Sequence, residues 1–403
     1  MTAFSPDPLF QCLRRLEQGE DSPSLRALVA EEFPWPYVLS SLPHRDLLPL
    51  LYHRLRRAGL GAQVPAWAWA RLEALYRLSL LRNDRLFTQL EEVLSVLSAA
   101  GVEAVLLKGA ALALTVYDSP ALRPMRDIDL LVPREMVQEA VAALTSQGYR
   151  LLVQEVRPGF VYEFENEWRL QGRAPGQVSV ELHWHPFVVM YYRRAIPVEE
   201  LWDRTRPVAV GRQSARLLAL EDQLLHLCAH LSFHHGFEPP LLWAWDVAAL
   251  LKHFALDWDA VVARARRYRL TLPVQAALEN VNRDIGAPVP EEVRRALAAH
   301  HPSLLERAAY HHHRSAGHTE AAETLLELLA LPRGRTKLRF LAGKLFPSRQ
   351  FMVERYGLRP PSLWAFAYPY RWLKGAVDIV KDAANVVCSR WTARAGRVEE
   401  TTP

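Results

Sequence analysis

The sequence predicts an α+β protein, a small mixed β-sheet core flanked by N-terminal and C-terminal helical regions. Three observations predict it. Apolar residues recur at three and four spacing before residue 100 and again after residue 217, the period of helices that bury one face. Between these regions, apolar runs of strand length first alternate with helical stretches and then follow one another directly, the order expected of a mixed sheet with helices against it. With 403 residues and 50% apolar composition, the chain can bury a sizeable core in two or three domains.

Residues 1–100 read as a helical region. Leu47, Leu48, Leu51 and Leu55 share one face, as do Leu75, Leu78 and Leu81, and prolines at 34, 36, 43 and 65 divide the region into short helices. The core is expected over 101–215. Gly101 closes a helix, and Glu103–Leu107 is a first strand. Lys108-Gly109 follows, then a short helix over Ala110–Val116 and a second strand over Asp127–Val132. Pro133 opens another helix with Met136, Val137, Val141 and Leu144 on its apolar side, and Gly148 ends it. Further strands are expected over Tyr149–Val156, Phe160–Phe164 and Val178–Trp184, with a turn at Arg173–Gly176. A C-terminal helical domain is expected over 216–332, where Leu217, Leu220, Leu224, Leu227 and Leu231 form one stripe. Helices over Trp243–His253 and Trp258–Tyr268 follow it, and residues 333–403 form a basic, aromatic-rich tail.

Charged residues make up 23% of the chain, which argues against bulk disorder. Cys12, Cys228 and Cys388 are odd in number and far apart, a pattern of a reducing compartment rather than of disulfides or a zinc site. The first residues show no basic start followed by an apolar run, and no uninterrupted apolar stretch reaches the roughly 18 residues of a membrane span. A cytoplasmic protein is expected. The net charge of +5 is uneven: 333–403 carries fourteen Lys/Arg and five Asp/Glu, a balance of +9, which leaves −4 for the remainder.

The chemistry concentrates in the core. Asp127 and Asp129 are two apart on a strand and point the same way. Paired carboxylates repel unless a cation lies between them, and Mg²⁺ (or Mn²⁺) suits oxygen ligands while leaving room for phosphates and water. Glu181 shares a strand face with His183 and His185, opposite Val180, Leu182 and Trp184. Lys108-Gly109 stands where a strand turns into a helix, a place where backbone N–H groups bind anions and glycine permits close approach.

Lys108-Gly109-Ala-Ala-Leu, Arg123-Pro-Met-Arg-Asp127-Ile-Asp129-Leu-Leu-Val and Val-Glu181-Leu-His-Trp together resemble the nucleotidyltransferase-fold superfamily, which is polymerase-beta-like. In detail they resemble its bacterial branch called uncharacterised nucleotidyltransferases. The resemblance covers about residues 85–255, including the helix that carries His226 and His230 and the segment Leu242–Asp246. It implies that Asp127, Asp129 and Glu181 bind divalent metal and that Gly109 and its neighbours hold the triphosphate of an NTP. It also implies transfer of an NMP group to a hydroxyl of an acceptor, whether small molecule, peptide or RNA. The superfamily usually has Gly-Gly or Gly-Ser at the phosphate turn, where this chain has Lys108-Gly109. A second reading is a catalytically inactive binding protein that keeps the fold and docks a partner through its tail.

Other residues stay open at this level. Arg123 and Arg126 flank the acidic strand as phosphate contacts or as salt-bridge partners. His226 and His230, spaced i and i+4, line the cleft with Asp246 and His183, assist proton transfer, ligate metal or simply pack; His234 and His235 follow them. Tyr117 reads as core. The tract His311–His313, near His318, reads as a solvated helix end. The tail interleaves cations with Trp364, Tyr368, Tyr370, Trp372 and Trp391, which suits packing, a partner protein, an anionic membrane surface or nucleic acid.

Overall fold

The computed structural model describes residues 7–18, 23–233, 241–314, 319–332, 334–359 and 361–381. Cys388, Trp391, His234, His235 and His318 lie outside the described residues. The chain forms two compact units. The first takes the chain up to Val153 together with Asn166–Val188 and Ala195–Pro302; the second takes Gln154–Glu165, Val189–Arg194 and the chain from Ser303 onward. No helix among the described residues is long and apolar enough to cross a membrane.

The first unit holds a seven-stranded mixed sheet. Its strands are β1 (Val105–Leu106), β2 (Asp127–Leu131), β3 (Arg150–Leu152), β4 (Glu167–Gln171), β5 (Ser179–His183), β6 (Arg206–Val210) and β7 (Gln213–Leu217), in the order β3-β4-β5-β2-β1-β7-β6. β2 and β5 are parallel neighbours with Asp129 opposite Glu181. β4 runs antiparallel to β5 and sets Arg169 opposite Glu181 and Glu167 opposite His183. Because side chains alternate along each strand, one face of β4, β5 and β2 gathers Glu167, Arg169, Glu181, His183, Asp127 and Asp129. On the other face Ile128, Leu130, Val180, Leu182 and Leu170 are buried.

Two strand expectations are corrected. Phe160–Phe164 is a helix. Gly159, at φ 77°, is its left-handed N-cap, and Phe160 and Phe164 meet one helical turn apart in a core with Met190, Leu331 and Phe340. The strand that pairs with β5 is instead β4, further along the chain. The strand expected over Tyr149–Val156 is confined to β3. The hairpin of β6 and β7 was not anticipated; Gly211, at φ 55°, stands at its turn, where the left-handed backbone favours glycine.

Prolines do divide the chain before residue 65 into short helices, but beyond Pro65 there is no breaker, and Ala66–Ala99 is a single helix of 34 residues, about 50 Å long. Three of its buried side chains are polar: Ser79, Asn83 and Gln89. Ser79 Oγ donates to Ala121 O at 2.8 Å. Asn83 Nδ2 donates to Pro120 O at 2.5 Å and Arg123 O at 2.7 Å, and its Oδ1 accepts from Met125 N at 3.2 Å. Gln89 makes a two-way bond with Val178, its Nε2 donating to Val178 O and its Oε1 accepting from Val178 N, both at 2.9 Å. The long helix thus holds the segments that lead into β2 and β5, the two strands that carry the acids. Asn83→Ala removes the Asn83 partner of the buried Arg123 O and Met125 N, while Pro120 O keeps its bond from Arg123 N at 3.3 Å, and is expected to lower stability by about 2–4 kcal/mol. Urea unfolding checks it: the midpoint falls with the slope unchanged, and a shift under about 0.5 kcal/mol would show that Asn83 does not hold this loop.

Candidate active site

Leu107 leaves β1 in extended conformation, and the helix Lys108–Thr115 begins at once. Lys108 takes φ 43°. A non-glycine residue pays roughly 1–2 kcal/mol for a left-handed backbone, whereas glycine adopts it freely. Lysine at this position gives in return a cation in the site, for its Nζ lies 2.7 Å from Asp129 Oδ1. Gly109 is required for a different reason. A Cβ there would lie 2.9 Å from Arg123 Nη1 and 3.0 Å from Met125 Cγ.

Asp129 is buried and also meets His183 Nε2 at 3.0 Å. The other ring nitrogen of His183 lies 3.0 Å from Glu167 Oε2, so the imidazole bridges β2 and β4 from its place on β5. Glu181 lies beside it, with Oε2 3.9 Å from His183 Nε2 and Oε1 paired with Arg169. Asp129, Glu181 and His183 each offer a ligand atom within 4.8 Å of the others, and among the described residues this is the only such group of three. Asp127 is on the same strand face, partly exposed, and is not a member of that group.

The electrostatics follow from burial and from these pairs. Burial opposes charge on His183, but Glu167 and Asp129 outweigh it and raise its pKa to about 9. Burial would raise Glu167, yet His183 and Lys108 hold it down to about 2. Burial likewise opposes ionisation of Asp129, and Lys108 and His183 keep it well below the carboxylate range. Glu181 goes the other way: burial, then Asp129 and Glu167, push it up to about 7. Arg169 is half-exposed, and water screens it too well to reverse that shift. Asp127 is raised by burial and by Asp129. Lys108, Arg169 and His183 therefore balance most of the four carboxylates.

The donor set fits a divalent cation. Two carboxylates give hard oxygen ligands, and His183 adds a nitrogen that Mn²⁺ accepts more readily than Mg²⁺. A ligand must first lose its proton, and below its pKa the apparent affinity falls about tenfold per pH unit. Mn²⁺ affinity is therefore expected to rise through about 7 as Glu181 ionises and to go on rising toward about 9 as His183 does. Calorimetric titration across that range checks this, and an affinity that does not change with pH would exclude both ligands. For stability without metal the sign is opposite. Both groups hold their protons more tightly folded than unfolded, so their contribution is complete below their ordinary values of 4.5 and 6.5 and is lost as pH rises through about 7 and about 9.

The remaining expected residues stand around this centre. Arg123 is buried and bound to Asp246, with Nη2 to Oδ2 at 2.8 Å and Nε to both oxygens at 3.2 Å, while Tyr117 donates to Asp246 Oδ1 at 2.7 Å. A salt bridge holds the guanidinium against Gly109 in the helix Lys108–Thr115. Arg126 is exposed and pairs with Asp46 at 2.7 Å. His226 is buried near Phe187; burial, then the charges of Lys108 and His183, press its pKa down to about 3, so it is neutral. His230 lies against Trp243, with centroids 4.0 Å apart. His185 has turned away to bond Ile196 O at 3.1 Å. Glu167 and Arg169 were missed by sequence reasoning; their signal was their alternation with Trp168 and Leu170, a strand with one polar face.

The family model described as "Uncharacterised nucleotidyltransferase" matches residues 31–286, more than half of the chain. The chain belongs to this nucleotidyltransferase family. The family region takes in the whole sheet and the long helix that fixes its acidic strands. Among solved structures the chain is similar to an antigenic nucleotidyltransferase-like protein from Paracoccidioides brasiliensis, at 16% identity and a TM-score of 0.35, covering 57% of this chain and 97% of that one. No curated protein matches it.

Proposed function

We propose that this nucleotidyltransferase moves an NMP group from an NTP to a hydroxyl of an acceptor, which is a small molecule, a peptide or an RNA end. The observation that carries the reading is the buried group of Asp129, Glu181 and His183 beside Lys108, at the start of a helix whose first N–H groups have no partners within the helix.

The triphosphate binds at Lys108, Gly109 and the amides that follow, where an ammonium and the positive end of the helix meet phosphate oxygens. Asp127, Asp129 and Glu181, with neutral His183 as a further donor, would hold Mg²⁺ or Mn²⁺, and such an ion would neutralise phosphate charge and acidify the attacking hydroxyl. Glu181 also stands where a carboxylate could accept the hydroxyl proton. A bond forms between the acceptor oxygen and the α-phosphorus, the bond to the β-phosphate bridge oxygen breaks, and its electron pair leaves with pyrophosphate. Lys108 holds Asp129 ionised. Arg123 and Asp246 keep the phosphate turn in place from below.

The test is incubation with each NTP labelled at the α-phosphate, divalent cation and a bacterial lysate. Label is expected to move to one class of acceptor with the wild-type protein and not with Asp127→Asn. A second reading has one observation in its favour: Lys108 and His183 already neutralise Asp129, as they would in a binding protein that has lost catalysis. Failure of label to move with any NTP, together with failure of any NTP to bind, would select that reading.

A further inference from the structure

In the second unit the turn Pro361–Phe366 runs directly into helical residues 367–381. One side of this helix is anchored. Ala367 is buried with Phe351 and Met352, Tyr368 OH donates to Pro347 O at 2.5 Å, and Arg371 reaches Lys344 O at 3.2 Å and Glu320 at 2.9 Å. The other side is apolar and open. Leu363, Phe366, Tyr370, Leu373, Val377 and Val380 recur at three and four spacing, and all are between 42% and 76% exposed. Ile379 is exposed as well, and Trp372, whose Nε1 donates to Leu345 O at 2.9 Å, keeps part of its ring exposed at the edge, so that from Phe366 onward the face covers about half of the helix circumference at 100° per residue. That is broader than the seam of a helix pair. Phe346, also exposed, lies with its ring 5.5 Å from Trp372 and extends the surface.

A soluble surface seldom presents so continuous an apolar face without a use for it. Charge decides which use. Residues 334–381 carry ten Lys/Arg and two Asp/Glu, a balance of +8, and Lys374 and Lys381 are exposed on the helix itself. A second copy of the chain would bring the same charge and be repelled. An anionic lipid surface would attract it, take the apolar side chains into the boundary between headgroups and acyl chains, and leave the lysines among phosphates. Tyrosine suits that boundary because it has an apolar ring and a polar tip.

We propose that the exposed face of residues 363–381 binds the surface of an anionic bilayer without crossing it. The experiment is co-sedimentation of the full chain with vesicles of phosphatidylglycerol and phosphatidylcholine, and with vesicles of phosphatidylcholine alone. Binding to the anionic vesicles is expected to exceed binding to the neutral ones by about tenfold or more and to be released by high salt. Leu373→Glu with Val380→Glu is expected to lower the bound fraction at least about tenfold. Both positions are exposed, so the helical circular dichroism signal should stay unchanged. Failure of the wild-type chain to sediment with anionic vesicles would overturn the proposal, as would equal sedimentation of the double variant. Light scattering that shows a dimer dissociated by the same double variant would also overturn it, by giving the face to a second copy.

Discussion

Asp129→Asn is expected to reduce nucleotidyl transfer by about 10³-fold or more, the scale lost when one preorganised charge is removed from a transition-state site. Asp129 is buried between Lys108 Nζ at 2.7 Å and His183 Nε2 at 3.0 Å. Asparagine fills the same volume but leaves both cations facing a neutral amide. The variant should therefore also lose stability, because breaking a buried pair costs about 3–5 kcal/mol. The sign with pH is fixed by the depressed pKa of Asp129. Its contribution is present above the ordinary value of 3.8 and is lost as pH falls toward the folded value, so wild type and variant should converge in acid. Asp127→Asn separates the two effects. Asp127 is partly exposed, and its pKa is already raised by burial and by Asp129, so neutralising it removes a charged group at little cost in stability. Loss of transfer with an unchanged unfolding midpoint is the expected result, and full activity in Asp127→Asn would remove that residue from the mechanism.

Asp246→Ala is expected to destabilise the protein by about 3–5 kcal/mol, since it leaves the buried Arg123 guanidinium without its counter-ion and Tyr117 without an acceptor. Arg123→Met with Asp246→Leu should recover much of that loss, because both charges are then removed together. The pair of experiments also distinguishes two roles for Arg123. If the guanidinium serves by supporting the turn at Gly109, the double variant keeps measurable transfer with a weakened KM for NTP. If it contacts phosphate directly, transfer is lost even though stability returns. Chemical denaturation and initial rates on the same samples give both quantities.

What the sequence revealed and what it concealed follow from how local each feature is. The pair Asp127 and Asp129 was legible because a two-residue period on a strand is a local property, and so was Glu181 with Val180 and Leu182 behind it. The helical flanks were legible from leucine spacing. β4 was not, because Glu167, Arg169 and Gln171 alternate along it and give the segment the polarity of a loop. Phe160–Phe164 misled because aromatic residues two and four apart fit both periods, and the left-handed Gly159 decided for helix. The bond between Arg123 and Asp246 spans 123 positions of chain and leaves no local trace. The meeting of His183 with Asp129 and Glu167 required the register of three strands, which only the folded sheet supplies. Lysine at position 108 looked like a departure from the phosphate turn, and the structure accounts for it as the left-handed residue whose side chain neutralises Asp129.

Paramagnetic titration of Mn²⁺, with and without each NTP, tests the central claim most directly, because it needs no knowledge of the acceptor. The wild-type chain is expected to take up Mn²⁺ more tightly when a nucleotide is present, and Asp129→Asn is expected to abolish that gain. Mn²⁺ that stays free in solution with every nucleotide, or that binds the variant as well as the wild type, would contradict the account.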